Sequence, residues 1–276
     1  MSEIRPGEVY TVSERVRRIT APNPSVMTGP GTNAYVVGTK TFALIDPGPD
    51  IASHIEALVA LVGGGLRWIL CTHTHLDHSP AALAVRAATG AQVIGMPPPS
   101  DGRQDLTFVP DWVMRDGERL QTPGFTLRAV HTPGHTSNHL CYFLEEERLL
   151  FTGDHVMQGS TVVITPPDGS MVDYLAALEK LLSIDIACFA PGHGHVIEAP
   201  HEEVRRLIKH RLGREQKVLA ALHKIGRGDL DTLVPHAYDD VAEKLYPVAR
   251  RSLLAHLLKL EHEGRARREA EIWVAG

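Results

Sequence analysis

The stretch "WILCTHTHLDHSP", residues 68–80, decides the fold. An apolar run, 66–71, stops directly at His73, His75, Asp77 and His78. That spacing follows neither the 3.6-residue period of a helix nor the alternation of a strand. A buried strand ending in a ligand-bearing loop fits it instead, because sheet scaffolds collect functional side chains on the loops at one edge. The next segment, "SPAALAVRAATG" (79–90), has helical texture, with Ser79 as N-cap, Pro80 in the first turn and Gly90 past the end.

Other strand-like runs end in the same way. "FTLRAVHT" (125–132) leads to "PGHTSNH" with His135, and "RLLFTGD" (148–154) ends at Asp154. "IACFAPGHG" (186–194) ends at His193. "NAYVVG" (33–38) and "TFALID" (41–46) read as a hairpin, "DPGPD" (46–50) as a turn, and 51–62 as a helix. Further strands are expected at 91–96 and 139–146. A helix is expected at 170–184, with Met171, Leu175, Leu178 and Leu182 on one face. After Pro200 the texture turns helical: a long segment passing Gly213, two more helices, and the short strand-like "RARREAEIWVAG". Three helices and a small wing suggest a winged-helix module, so the domains are placed at 1–200 and 201–276.

With 276 residues and 22% charged residues, the composition is that of a globular protein. No apolar run reaches the 18 residues of a membrane span, and 1–12 has no export-signal pattern, so no membrane partner and a cytoplasmic location are expected. Cys71, Cys141 and Cys188 sit in apolar runs and read as buried thiols. Segment 201–276 carries 15 basic against 12 acidic residues, and 1–200 carries 13 against 21, so no strongly basic domain marks a nucleic-acid binder. The Gly-rich "TGPGTN" (28–33) reads as an ordinary turn or a phosphate nest.

Seven candidate ligands are too many for one tetrahedral ion but suit two divalent ions sharing a bridge. The expected division is His73, His75 and His135 on one metal and Asp77, His78 and His193 on the other, with Asp154 bridging. Zinc is the default, with manganese or iron open to the same donor set. The two ions keep a net positive charge, which suits an anionic substrate or transition state.

Taken in order, "HTHLDH", "GHT", "TGD" and "PGHG" resemble the metal motifs of the metallo-β-lactamase superfamily. The resemblance implies an α+β fold, a four-layer αββα sandwich, over about 1–200. "TGPGTNAYVVG", "FTGDHVMQGSTVV" and the C-terminal "HRLGREQKVLAAL" narrow it to the β-lactamase-like protein 2 family, in which a winged-helix-like domain follows the hydrolase. Its mitochondrial members are single-strand endoribonucleases, so the resemblance implies metal-dependent cleavage of single-stranded RNA by a metal-bridging hydroxide. Asp77 would orient that hydroxide, and His195 or His155 would protonate the leaving oxygen. Arg205, Arg206, Lys209, Arg211 and Arg214 would contact phosphates, unless they form a solvated face paired with Glu202, Glu203 and Glu215.

The alternative expectation is that the same centre hydrolyses a small anionic ester, thioester or lactone, as in glyoxalase II relatives, with β-lactam hydrolysis at most weak. A third expectation is a regulator acting through the winged helix. Its leucine-rich "SLLAHLLKLEHEG" favours packing or a homodimer interface over reading a groove.

Overall fold

Alternating burial across 34–45 and 69–70 sorts side chains onto two faces of one sheet. Tyr35, Val37, Ala43, Ile45 and Leu70 point to one core, while Ala34, Val36, Leu44 and Ile69 point to another. The computed structural model describes residues 3–276. By its contacts the chain divides into two units.

The first unit, Met1–Thr132, Asn138–Val162 and Ile184–Pro200, holds two sheets. One is seven-stranded, in the order β1 (Val9–Thr11), β2 (Val16–Thr20), β3 (Asn33–Val37), β4 (Phe42–Ile45), β5 (Leu66–Leu70), β6 (Gln92–Gly95), β7 (Trp112–Val113). Strands β3 and β4 form the expected antiparallel hairpin, and β4, β5, β6 and β7 run parallel. Parallel strands covered on both faces read as continuous apolar runs, as "LRWILC" does. The other sheet orders β8 (Arg119–Gln121), β9 (Thr126–His131), β10 (Leu140–Leu144), β11 (Leu149–Gly153) and β12 (Cys188–Pro191) with β12 and β8 at its edges. Leu127, Ala129, Leu140, Tyr142 and Phe151 meet Tyr35, Val37 and Ile45 in the core between the sheets.

The far face of the first sheet packs on α1 (Ala52–Val62) and α2 (Ala81–Thr89). In α1, His54, Leu58 and Val62 are buried at four-residue steps, one face of a helix. Gly90 ends α2 in the left-handed conformation (φ 72°), which glycine adopts without a steric penalty. The expected Ser79 cap is not made. Pro80 occupies the N-cap position with no side-chain bond, and the Ser79 hydroxyl donates instead to Asp105 at 2.8 Å. Cys71 and Cys141 are buried thiols, as expected, whereas Cys188 is only half-buried.

The second unit is Pro133–Ser137, Val163–Ser183 and His201–Gly276, so it takes in more than the C-terminal segment. It contains α3 (Met171–Leu181), α4 (Pro200–Ile225), β13 (Arg227–Gly228), α5 (Leu230–Ala237), α6 (Tyr246–His262), β14 (Ala266–Glu269) and β15 (Ile272–Ala275). The Ser170 hydroxyl caps α3 by accepting from the Asp173 amide. The buried stripe of α3 is Met171, Tyr174, Leu175, Leu178 and Leu181, and Leu182 falls off it. Helix α4 continues through Gly213. The strand-like C-terminus is two strands, β14 and β15, which pair with β13 as a wing. Leu222, Leu233, Leu253, Leu257 and Trp273 form that unit's core.

Candidate metal centre

The loop after β5 is a turn, which is why its ligands follow no regular period. The amides of His78 and Ser79 donate to the His75 carbonyl, at 3.0 and 3.3 Å. Three long-range ties set its path. Asp46 accepts from the Thr72 amide and hydroxyl, both at 2.7 Å. The His78 carbonyl accepts from the Gly48 amide, and the Thr74 carbonyl from the Asp105 amide. His73, Asp77, His78, Asp154 and His193 are drawn into one cluster of the first unit, and the ring of His75 lies against that of His73.

Each anchored imidazole has one nitrogen committed. The Thr72 hydroxyl gives its proton to Asp46, so it accepts from His73 Nδ1 at 3.0 Å. His78 Nδ1 donates to Asp46 at 2.9 Å, and His193 Nδ1 donates to the Gly31 carbonyl at 3.2 Å. In all three that bond sets the ring so that Nε2 is the nitrogen turned to the cluster, the arrangement that oriented metal-ligating histidines adopt. His73 Nε2 faces His75 Nδ1 at 3.0 Å.

The spacing suits a cation. His78 Nε2 lies 3.5 Å from Asp77 Oδ2 and 3.4 Å from Asp154 Oδ1, and His193 Nε2 lies 3.3 Å from both carboxylates. Two ligands about 2.05 Å from a tetrahedral ion are about 3.3 Å apart. His78 Nε2 is fully buried and makes no hydrogen bond, a cost that a bound cation removes. Asp154 groups with His73 and His78, and also touches His193, which puts its carboxylate between the two expected ligand sets.

The charges respond to one another. Burial alone would raise Asp77, but His78 and His193 outweigh it and hold the carboxyl at about 2. For Asp154, burial is likewise overcome by His193 and His78, and the carboxyl is held well below its ordinary value. Burial would lower His78, yet Asp77, Asp154 and Asp46 raise it well above its usual range. His193 is carried to about 10, with Asp154 overcoming the effect of burial. His73 is pushed well down by burial and then by His78 and His75, so it is neutral. Without metal, therefore, protons on His78 and His193 balance the two carboxylates.

The other predicted residues are placed as follows. His135 lies on the Pro133–Ser137 segment of the second unit, where its Nδ1 donates to the Val163 carbonyl at 2.8 Å. His195 is half-buried, and burial and Arg18 lower its pKa. His155 is fully buried, as is His139, whose Nε2 accepts from the Asp154 amide at 3.2 Å. Sequence reasoning missed Asp46, which orients His78 directly and His73 through Thr72. It also missed Thr32, whose hydroxyl donates to Asp77 at 3.3 Å. One signal was present for Asp46: its strand ends at the same edge as β5.

Fold and cluster together define a hydrolase of the α/β-sandwich, divalent-metal type. Residues 27–193 match the metallo-β-lactamase superfamily and residues 230–273 the β-lactamase-associated winged helix domain. The chain belongs to the metallo-β-lactamase superfamily, whose members bind divalent metals, and carries that winged-helix domain at its C-terminal end. It is 32% identical to the β-lactamase-like protein 2 homolog of Drosophila melanogaster, over 94% of this chain and 92% of that one. It is 34% identical to the atrochrysone carboxyl ACP thioesterase of Aspergillus fumigatus, over 80% of this chain and 69% of that one. A β-lactamase domain protein from Burkholderia ambifaria shares the fold, with a TM-score of 0.85 over 100% of this chain and 95% of that one, at 17% identity. Among the described residues no helix is long and apolar enough to cross a membrane.

Proposed function

We propose that this protein hydrolyses a small acyl thioester or ester at a dinuclear metal centre. His73, His75 and His135 would hold one ion and Asp77, His78 and His193 the other, with Asp154 between them. His135 joins the set through its motif, and its Nδ1 donates to the Val163 carbonyl. Two bound divalent ions supply a water nucleophile near neutral pH and stabilise negative charge on the substrate oxygen. Asp77, steadied by Thr32, orients that water and accepts its proton.

The observation that carries the acyl reading is the character of the ligand loops. Leu76, inside the motif itself, is 63% exposed. Val26 and Met27 are exposed on the loop whose Gly31 carbonyl holds His193 and whose Thr32 holds Asp77. These side chains are aliphatic and suit an acyl chain. Single-stranded RNA asks for aromatic platforms and free cations. Among the described residues, Tyr10 is the one exposed large aromatic, and it lies outside these loops. The thioesterase among the relatives points the same way.

RNA cleavage remains the second reading, because the similarity to the β-lactamase-like protein 2 homolog of Drosophila melanogaster runs over 94% of the chain. The cations expected to serve it are largely engaged. Arg206 pairs with Glu203 and Arg214 with Asp240, while Arg211 is buried against Tyr174. Arg205 and Lys209 are exposed.

The test is a panel of acyl thioesters, esters and unstructured RNA, run on metal-defined protein at low and high salt. Thioester turnover that persists at high salt, and is lost in Asp77→Ala, is the expected result. Cleavage of RNA alone, falling steeply with salt, overturns the acyl reading.

A further inference from the structure

We infer that His139 is the positioning residue for the bridging carboxylate, acting as the hydrogen-bond acceptor that fixes the backbone of Asp154. The inference rests on the reading of Asp154 as a ligand between the two metals.

His139 is fully buried at the start of the chain leading into β10. Its Nε2 accepts from the Asp154 amide at 3.2 Å. A ring nitrogen that accepts carries no proton, so the remaining proton of the neutral ring sits on Nδ1. Nδ1 lies 2.8 Å from the Thr132 hydroxyl, which accepts that proton. The hydroxyl lies 3.2 Å from Cys141 Sγ, which takes its own hydrogen. A chain Asp154 to His139 to Thr132 to Cys141 therefore fixes one tautomer. The opposite tautomer would set two N–H groups against each other at Asp154.

The ring is fully buried and closely packed. Its centroid lies 5.2 Å from that of His73, so it is wedged between a ligand of one expected metal and the backbone of the bridge. A Cβ on Gly153 would sit 2.8 Å from His139 Nε2, so Gly153, at φ 45°, is the residue that lets the strand end pass this close to the ring. The His139 backbone is held as well: its carbonyl accepts from the Thr132 amide, and the following Leu140 amide donates to Thr72. Both ends of the ring's support therefore belong to elements that carry other parts of the centre. Outer-shell partners of this kind alter metal affinity by about 10–100-fold when removed.

The experiment titrates metal-free protein with zinc against a chromophoric chelator, for wild type, His139→Leu, His139→Gln, His139→Asn and Thr132→Val, with folding followed by circular dichroism. Gln can place an acceptor near the Nε2 position, and Asn reaches only the Nδ1 position. Wild type is expected to bind two ions. His139→Leu and His139→Asn are expected to weaken at least one of them about tenfold or more, with His139→Gln recovering most of the loss. Thr132→Val, which removes the tautomer lock and keeps the volume, is expected to fall between Gln and Leu. If His139→Leu does not fold, the Gln-against-Asn difference carries the comparison. Equal affinities for Gln and Asn, or a Leu variant that binds like wild type, overturn the role of His139 and leave the dinuclear reading intact. Two ions bound unchanged by Asp154→Asn would instead overturn the bridge itself.

Discussion

Asp46 and His78 form a buried carboxylate–imidazole pair, Oδ2 to Nδ1 at 2.9 Å, and the same carboxylate takes the amide and hydroxyl of Thr72. One side chain thereby sets the direction of His78 and, through Thr72, of His73. Asp46→Asn keeps the shape but leaves one carbonyl oxygen for three donors. Its expected effect is a loss of metal affinity of about 10–100-fold, with little change in secondary structure. Chelator competition and circular dichroism on the same samples check it.

Asp77 is the carboxylate expected to act on water, and removing it should cost more in turnover than in binding. For Asp77→Ala the expected fall in kcat on a thioester is about 100-fold or more, the scale of a lost acid–base group. KM should change far less, since Val26, Met27 and Leu76, the exposed side chains proposed to meet the acyl chain, are untouched. Steady-state kinetics at saturating metal decide it. A raised KM with kcat unchanged would mean that Asp77 serves mainly to hold the substrate.

The metal-free protein should lose stability in alkali. His193 binds its proton more tightly when folded, to about 10 against an ordinary 6.5, mainly because Asp154 overcomes the effect of burial. That contribution is complete below pH 6.5 and disappears as the pH rises through 10. Asp77, held at about 2 against an ordinary 3.8, behaves in the opposite sense: its contribution is complete above pH 3.8 and is lost as the pH falls through 2. The expected result is a Tm that declines from pH 7 to 10 in chelator. With zinc bound the decline should be much smaller, because the ligands are already deprotonated. Thermal melts across that range, with and without zinc, give the answer.

The ligand knot was legible because its chemistry lies in residue type: three imidazoles and a carboxylate need no tertiary context to be conspicuous. Asp46 was not, since "DPGPD" reads as a turn and its role comes from a residue 26 positions later. Ser79 marked the helix start correctly, but its hydroxyl goes to Asp105, a partner that local capping rules do not see. Strand β2, "VRRIT", was obscured by two arginines, one of them buried with its guanidinium 3.3 Å from the Gly194 carbonyl. The helix at 170–184 was found, yet its membership of the second unit depends on packing that periodicity cannot report.

Glu215 supplies the last test, in the second unit. Its side chain is 2% exposed and joins α4 to α6 through Lys259 at 2.7 Å and to the segment before β14 through Arg265 at 3.0 Å. Lys259 is itself largely buried, and Glu263 also contacts it. Removing one partner of a buried ion pair leaves the other charge with too few contacts, a cost of about 3–5 kcal/mol. Glu215→Ala should therefore destabilise this unit strongly. Glu215→Met together with Lys259→Met should recover much of the loss, because packed apolar residues often replace a buried pair without penalty. Denaturant unfolding followed by tryptophan fluorescence in a Trp68→Phe, Trp112→Phe background, which leaves Trp273 of this unit's core as the reporter, checks it. An unchanged midpoint for Glu215→Ala would show that the helices of the winged-helix unit are held by their leucine core alone.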